Sequence, residues 1–159
     1  MTEQEKMEAH MKEIGEYFAN CPQGSINEMM QPVFSRCDSQ EKTYTAGFAT
    51  DDRAANPNGV LHGGLIATAM DNVMGILSNF YGDSRLTQTI SFQVSYLRPG
   101  TVGGRLMVRA RITKQGRNVQ YLNAEAWMEG TPDKLVATAT GVYYTKGEKT
   151  NLQKPDLHN

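Results

Sequence analysis

The chain has 159 residues, 21% of them charged, and a formal net charge of −1, which predicts one globular domain and argues against a nucleic-acid-binding protein. The polar, acidic start from Met1 to Lys6 does not resemble a signal peptide, and the most apolar helix contains Asp71 and Asn72, so we expect no membrane span. Cys21 and Cys37 form no CxxC and the three histidines are far apart, so we expect a reducing, cytoplasmic location and no metal site.

The first third of the chain predicts a helix followed by two strands. Thr2 and Glu5 match a capping box. Apolar residues then recur at helical spacing to about residue 19, namely Met7, Met11, Ile14 and Phe18. Strands are predicted over 33–37 and 43–49, joined by the polar turn 38–41. A loop rich in Asn, Pro and Gly follows over residues 51–59.

A long helix is predicted from Gly63 to about Phe80. Its apolar stripe comprises Leu65, Ala69, Val73, Ile76, Leu77 and Phe80. Asp71 lies well off this stripe. The rest of the chain reads as strands over 86–97, 106–112, a segment ending near Trp127, and 135–145. In the first of these, alternation places Ile90, Phe92, Val94 and Tyr96 on one face and Thr89, Ser91, Gln93 and Ser95 on the other.

These elements predict an α+β fold in which a single antiparallel sheet wraps the long helix. We divide the chain into an N-terminal amphipathic helix over 1–20, a single domain over 21–146, and a polar tail over 147–159.

The segment from Asn56 to Gly64, N-P-N-G-V-L-H-G-G, immediately precedes the long helix. A helix that begins at Gly63 presents unpaired N–H groups and the positive end of the helix dipole, which together can hold a developing oxyanion. Asp71, further along the helix, supplies a carboxylate that could activate water. This combination predicts hydrolytic chemistry.

The spacing of these groups predicts a dimer. Gly63 and Asp71 are eight positions apart, about 12 Å along a helix axis, and His62 and Asp71 lie on roughly opposite helix faces. Within a single chain, the helix start and the Asp71 carboxylate cannot both contact one small group. If they cooperate, the donor comes from one chain and the carboxylate from another, and a two-fold dimer builds two such sites.

The pattern N-x-x-G-x-x-H-G-G, with an Asp nine residues after the His, resembles the hotdog-fold thioesterases. Within them it most resembles the phenylacetic-acid-pathway (PaaI-like) branch, and the likeness covers roughly residues 33–145. The resemblance implies a hotdog fold, hydrolysis of acyl-CoA thioesters to the acid and CoA without a metal or cofactor, and homodimers that often pair into tetramers.

The resemblance also implies residue roles. The Gly63 N–H would polarise the thioester carbonyl, and Asn56 would bind or orient the substrate. His62 would line the same pocket. Asp71 of the partner chain would act as general base or nucleophile, and Thr89 would help to position the water.

A basic stretch extends from Arg85 to Arg117, and no acid occurs between Asp83 and Glu125. One interpretation is a basic sheet face balanced by the acidic N-terminal helix. The other is contact with phosphate groups, which arginine grips well. By the resemblance, the loop 114–117 would face the nucleotide end of coenzyme A. We therefore expect a substrate-binding set comprising Gly64, Lys114, Gly116 and Arg117.

Each candidate also has a purely structural explanation. Asp71 could pair with an arginine at an interface, and His62 could simply cap the helix. Gly63 could serve close packing, Asn56 could be a turn residue, and Thr89 an ordinary strand residue. The alternative function is a non-catalytic acyl-CoA sensor on the same fold, followed by a hydratase. The sequence does not predict the acyl group.

Overall fold

The computed structural model describes residues 1–150. Helix α1 (Glu3–Ala19) and the short helix α2 (Ile26–Met29) precede the sheet. The predicted capping box of α1 is present, because the Thr2 hydroxyl accepts the Glu5 N–H at 3.2 Å and the Glu5 carboxylate accepts the Thr2 N–H at 2.7 Å. Helix α2 was not predicted, although Ser25 caps it by accepting the Glu28 N–H.

Six antiparallel strands form one sheet. They are β1 (Val33–Asp38), β2 (Thr43–Ala49), β3 (Arg85–Tyr96), β4 (Arg105–Gln115), β5 (Val119–Met128) and β6 (Leu135–Lys149). Their spatial order is β1-β2-β4-β5-β6-β3, so β3 lies at one edge of the sheet. Strand β6 continues four residues beyond its predicted end, because its last residues pair with the start of β3. The predicted tail therefore begins within β6, and residues 151–159 lie outside the described chain.

The long helix α3 (Gly63–Tyr81) packs on the inner face of the sheet, in contact with β2 to β6. The predicted apolar stripe is only partly right. Leu65 and Phe80 are half-buried, whereas a second row of apolar side chains is buried as well, namely Ile66, Met70 and Met74. Because five strands contact the helix, more of its circumference is buried than a single amphipathic stripe predicts.

Strand β3 contains a β-bulge that changes which side chains face the helix. Thr89 pairs with Tyr143 and Phe92 pairs with Gly141, so three steps along β3 match two along β6. Ile90 is the extra residue and is 59% exposed. Because strand side chains alternate between faces, the extra residue puts Thr89 on the same face as Phe92. The prediction that these two residues face opposite ways is wrong.

No helix within residues 1–150 combines the length and the apolar character needed to cross a membrane. Cys21 and Cys37 are free thiols, and both are buried.

Candidate active site

The side chain of Asp71 is held by two hydroxyl groups from the sheet. Its Oδ1 atom accepts a hydrogen bond from Thr89 Oγ1 at 2.9 Å and another from the Tyr143 hydroxyl at 2.8 Å. Thr89 lies on β3 and Tyr143 on β6. Within the described residues Oδ2 accepts no hydrogen bond. The carboxylate is therefore fixed through one oxygen, and the other can accept a proton from water.

Tyr143 is part of this site and was not predicted from the sequence. Its side chain is 1% exposed, and burial, together with the neighbouring Asp71 charge, raises the pKa of Tyr143 far above its usual value. The hydroxyl therefore stays protonated and donates to the carboxylate. A tyrosine at an inward-facing position of a strand needs a hydrogen-bond partner for its hydroxyl, which is the sequence signal that could have found it.

The start of α3 leaves one backbone donor unpaired. The N–H groups of Leu65 and Ile66 bond to the His62 carbonyl at 3.0 and 3.1 Å, and that of Gly64 bonds to His62 Nδ1 at 3.1 Å. Of the first four helical N–H groups, that of Gly63 has no partner within the described residues. This donor stands where the sequence predicted an oxyanion site.

His62 is the N-cap of α3. Because Nδ1 accepts the Gly64 N–H, a neutral ring carries its proton on Nε2, which leaves a donor on an exposed side chain. The cap role is the structural explanation considered for His62. A role in lining the substrate pocket stays a prediction, as does substrate binding by Gly64, whose N–H is already bonded.

The ring of Tyr96 lies against Gly63. The Tyr96 hydroxyl donates to the Gly63 carbonyl at 2.6 Å, and a Cβ atom at position 63 would lie 3.2 Å from Tyr96 Cζ. That separation is tight, so Gly63 allows the close approach of the ring. Tyr96 was not predicted as a site residue, and its contact connects the helix start to the end of β3.

Asn56 organises the loop before the helix. Its Oδ1 accepts the N–H of Asn58 at 2.9 Å and that of Val60 at 3.3 Å, which is the geometry of an Asx turn. Its side-chain amide donates no hydrogen bond within the described residues. The structural explanation for Asn56 is therefore correct as far as Oδ1 is concerned, and contact between its amide and substrate stays a prediction.

The sequence profile of the Thioesterase superfamily matches residues 58–134. The chain is 27% identical over 118 residues to a Pseudomonas aeruginosa protein named as an esterase, covering 74% of this chain and 85% of that protein. It is 28% identical over 89 residues to human acyl-coenzyme A thioesterase 13, covering 55% of this chain and 61% of the relative. The chain thus matches about three fifths of the human protein's length. Over residues 58–134 the chain is therefore similar to members of the Thioesterase superfamily.

The fold of the chain is the predicted hotdog fold. Its structure superposes on the PaaI protein from the phenylacetic acid degradation operon of E. coli with a TM-score of 0.76, covering 93% of this chain and 99% of that one at 17% sequence identity. At that identity the comparison shows the shared fold. The long helix against a six-stranded antiparallel sheet, expected from the sequence, is confirmed.

The loop predicted to meet coenzyme A is a tight hairpin between β4 and β5. The Gly116 N–H bonds to the Val119 carbonyl at 2.8 Å, and a Cβ atom at position 116 would lie 2.6 Å from that oxygen. Hairpin geometry alone therefore explains this glycine. Lys114 is exposed, with Nζ 5.8 Å from the Tyr121 ring centroid. Substrate binding by Lys114, Gly116 and Arg117 stays a prediction.

The hairpin lies near the end of α3 opposite to Gly63. The Gln115 side chain donates to the Tyr81 carbonyl at the last turn of the helix. The Arg85 guanidinium donates to the Arg117 carbonyl at 2.9 Å and to Asn118 Oδ1 at 3.0 Å. Arg85 therefore holds the hairpin in place and is not a free cation.

Three further arginines of the basic stretch, all on β4, form exposed ion pairs with an acid on β5, an acid just after β5 and an acid in the turn between β1 and β2. The pairs are Arg105–Glu129 at 3.9 Å, Arg109–Glu125 at 2.9 Å and Arg111–Glu41 at 3.1 Å. The expectation that the N-terminal helix balances this charge is wrong for these three. Exposed pairs of this kind contribute at most about 1 kcal/mol each. Within residues 1–150, no cluster of three or more His, Cys, Asp or Glu side chains could hold a metal ion.

Proposed function

We propose that this chain hydrolyses acyl-CoA thioesters, with Asp71 as the general base or nucleophile and the Gly63 N–H as the oxyanion donor. The observation that carries the proposal is the Asp71 carboxylate, which Thr89 and Tyr143 hold through Oδ1, while Oδ2 has no partner among residues 1–150. The name of the human relative, acyl-coenzyme A thioesterase 13, supports the substrate class. The cytoplasmic location stays a prediction.

The chemistry follows from these two groups. As general base, Asp71 Oδ2 takes a proton from water while the water oxygen adds to the thioester carbonyl carbon. The carbonyl oxygen gains negative charge, which the N–H of Gly63 and the helix dipole stabilise. The C–S bond then breaks, because a thiolate is a good leaving group. The thiolate takes up the proton that Asp71 removed from water, so the products are the carboxylic acid and the thiol of CoA. As proposed, this route uses no cofactor beyond the substrate's own CoA.

We propose that each site uses two chains. Gly63 and Asp71 lie on one continuous helix, eight residues apart, or about 12 Å along its axis. One small thioester group cannot reach both. Strand β3 is a twelve-residue edge strand, and an edge of this length is a template for pairing with another strand. Several large apolar side chains at this edge are more than half exposed, namely Leu86, Ile90, Tyr96 and Leu97.

Antiparallel pairing of β3 with a second copy of itself would bring the two groups together. Thr89 contacts Asp71, and Tyr96, near the other end of the strand, contacts Gly63. A two-fold axis between these contacts places the Thr89 end of one strand beside the Tyr96 end of its partner. The carboxylate of one chain then approaches the helix start of the other. Further pairing of dimers into tetramers stays a prediction.

The proposed activity is tested by CoA release from a panel of acyl-CoAs, comparing the wild type with Asp71→Asn. We expect the kcat to fall roughly 10²–10⁴-fold, with little change in KM. Asp83→Asn is the matched control, because Asp83 is exposed and has a φ of 61°, a conformation that asparagine tolerates. Burial raises the pKa of the Cys21 and Cys37 thiols, so their reaction with a thiol reagent should be slow.

Two results would contradict the proposed function. Full activity of Asp71→Asn would show that Asp71 is not the base or nucleophile. If the wild type binds acyl-CoA and releases no CoA from any thioester, the chain is the acyl-CoA sensor considered as the alternative.

Subunit mixing tests whether the site is shared. Asp71→Asn and Gly63→Val should each be inactive alone, the latter because a side chain at position 63 meets the Tyr96 ring. In a mixed dimer, one site combines an intact Gly63 with an intact Asp71 only if the two come from different chains. Random mixing should then restore about a quarter of wild-type activity. No recovery, with mixed dimers demonstrated, would place both groups in one chain.

A further inference from the structure

A cleft of about 290 Å³ lies beside Asp71, between α1, α3 and the first residues of β3. Much of its wall is apolar, formed by Ile14, Phe18, Ile76 and Leu86. Small-molecule pockets commonly measure about 300–1,000 Å³, so this cleft is too small for a whole acyl-CoA. Since an apolar cavity of about 150 Å³ holds benzene, the cleft has room for a ring of that size with a short linker.

Gly75 also lines the cleft, one helical turn beyond Asp71 and on the same side of α3. A glycine inside a helix is less stable than alanine and needs a reason. Packing does not supply one here, because a Cβ atom at position 75 would meet only Tyr143 Cε1, at an ordinary contact distance of 3.7 Å. The space above Gly75 is therefore open, and it belongs to the cleft.

We propose that this cleft is the acyl pocket, that it takes an apolar acyl group of about the size of a phenylpropanoyl or octanoyl chain, and that Gly75 keeps it open. The proposal rests on the function proposed above. The carbonyl carbon would lie at Asp71, and the acyl group would extend past Gly75 towards α1. Ile14 and Phe18 would form the far wall, so the N-terminal helix would limit the length of the acyl group.

The test is a comparison of kcat/KM for acetyl-, 3-phenylpropanoyl-, octanoyl- and palmitoyl-CoA in the wild type, Gly75→Ala and Gly75→Leu. We expect Gly75→Leu to lower kcat/KM for the phenylpropanoyl and octanoyl thioesters at least about tenfold more than for acetyl-CoA. The phenylpropanoyl and octanoyl arms distinguish an aromatic from a linear acyl group. Gly75→Ala should show a smaller loss of the same kind with an equal or higher Tm, because alanine favours the helix.

A second variant enlarges the pocket from the opposite side. Phe18→Ala should raise the ratio of palmitoyl- to octanoyl-CoA hydrolysis, because the far wall moves back. Ile26→Ala is the control, since Ile26 lies on α2, is largely exposed and does not line the cleft. The ratio of palmitoyl- to octanoyl-CoA hydrolysis in Ile26→Ala should equal that of the wild type.

The failures of the two proposals are distinguishable. If the wild type is active and Gly75→Leu lowers activity towards acetyl-CoA as much as towards octanoyl-CoA, the cleft is not the acyl pocket. If the wild type releases no CoA, the proposed function fails. Binding of a non-hydrolysable octanoyl-CoA thioether then tests the pocket. Weaker binding to Gly75→Leu than to the wild type, with CoA alone bound equally, would support it, and equal binding of the thioether would refute it.

Discussion

Replacing Tyr143 by phenylalanine removes one oxygen atom from beside Asp71 and leaves the ring in place. The lost bond, 2.8 Å long, joins a buried hydroxyl to a carboxylate, and hydrogen bonds to charged groups contribute about 1.5–3 kcal/mol. If the whole free energy of this hydrogen bond serves to hold the carboxylate in the transition state, its loss lowers kcat roughly 10- to 100-fold. We expect a loss in this range with KM nearly unchanged, measured by CoA release at saturating substrate.

Tyr44→Phe is the matched control. Tyr44 is 0% exposed and Tyr143 is 1% exposed, but the Tyr44 hydroxyl has no hydrogen-bond partner in the part of the chain that the structure describes. Removing it should leave kcat unchanged and should not lower the free energy of unfolding, because an unsatisfied buried hydroxyl is itself costly. If Tyr143→Phe folds normally and keeps wild-type kcat, then the hydroxyl does not position Asp71, and the proposed role is refuted.

Three further predictions use the same structure. Thr89→Val should lower kcat by about fivefold to tenfold, less than Tyr143→Phe, because Thr89 is exposed and water can replace its hydroxyl; equal kcat to wild type in a CoA-release assay would contradict this. Ile90→Lys should weaken self-association measured by sedimentation velocity, whereas Ile26→Lys, at 60% exposure against 59% for Ile90, should not. Burial lowers the pKa of His10 below its usual value of 6.5, so the unfolded chain binds a proton at His10 more readily than the folded chain does. The contribution of His10 to the free energy of unfolding is therefore lost as the pH falls below about 6.5. Urea unfolding should therefore show wild type losing stability relative to His10→Gln on acidification, and a pH-independent difference would refute the assignment.

The sequence predicts those parts of the site that depend on local geometry. The helix start at Gly63 follows from the glycines and from His62, whose cap contact spans two residues. The helix carrying Asp71 follows from apolar periodicity. Each of these depends on residues a few positions apart, which is the range over which sequence patterns determine backbone structure.

The remaining parts depend on how distant strands pair. The face on which Thr89 lies is set by the bulge at Ile90, and alternation within β3 alone gives the wrong answer. Tyr143 is 72 positions from the carboxylate it contacts, and no pattern near Asp71 indicates it. The ion pairs of Arg109 and Arg111 likewise connect β4 to Glu125 on β5 and to Glu41 in the turn between β1 and β2, so charge counted along the chain could not identify their partners.

Strand β3 connects these observations, because one strand contacts both proposed reacting groups. It donates to Asp71 through Thr89, contacts Gly63 through Tyr96, and lies at the edge of the sheet. A substitution that separates dimers without unfolding the chain should therefore leave both groups intact while moving the donor away from the carboxylate. For Ile90→Lys, activity per chain should fall at low protein concentration and recover as concentration rises, in step with the dimer fraction. Activity that stays constant while the dimer dissociates would mean that one chain suffices for catalysis.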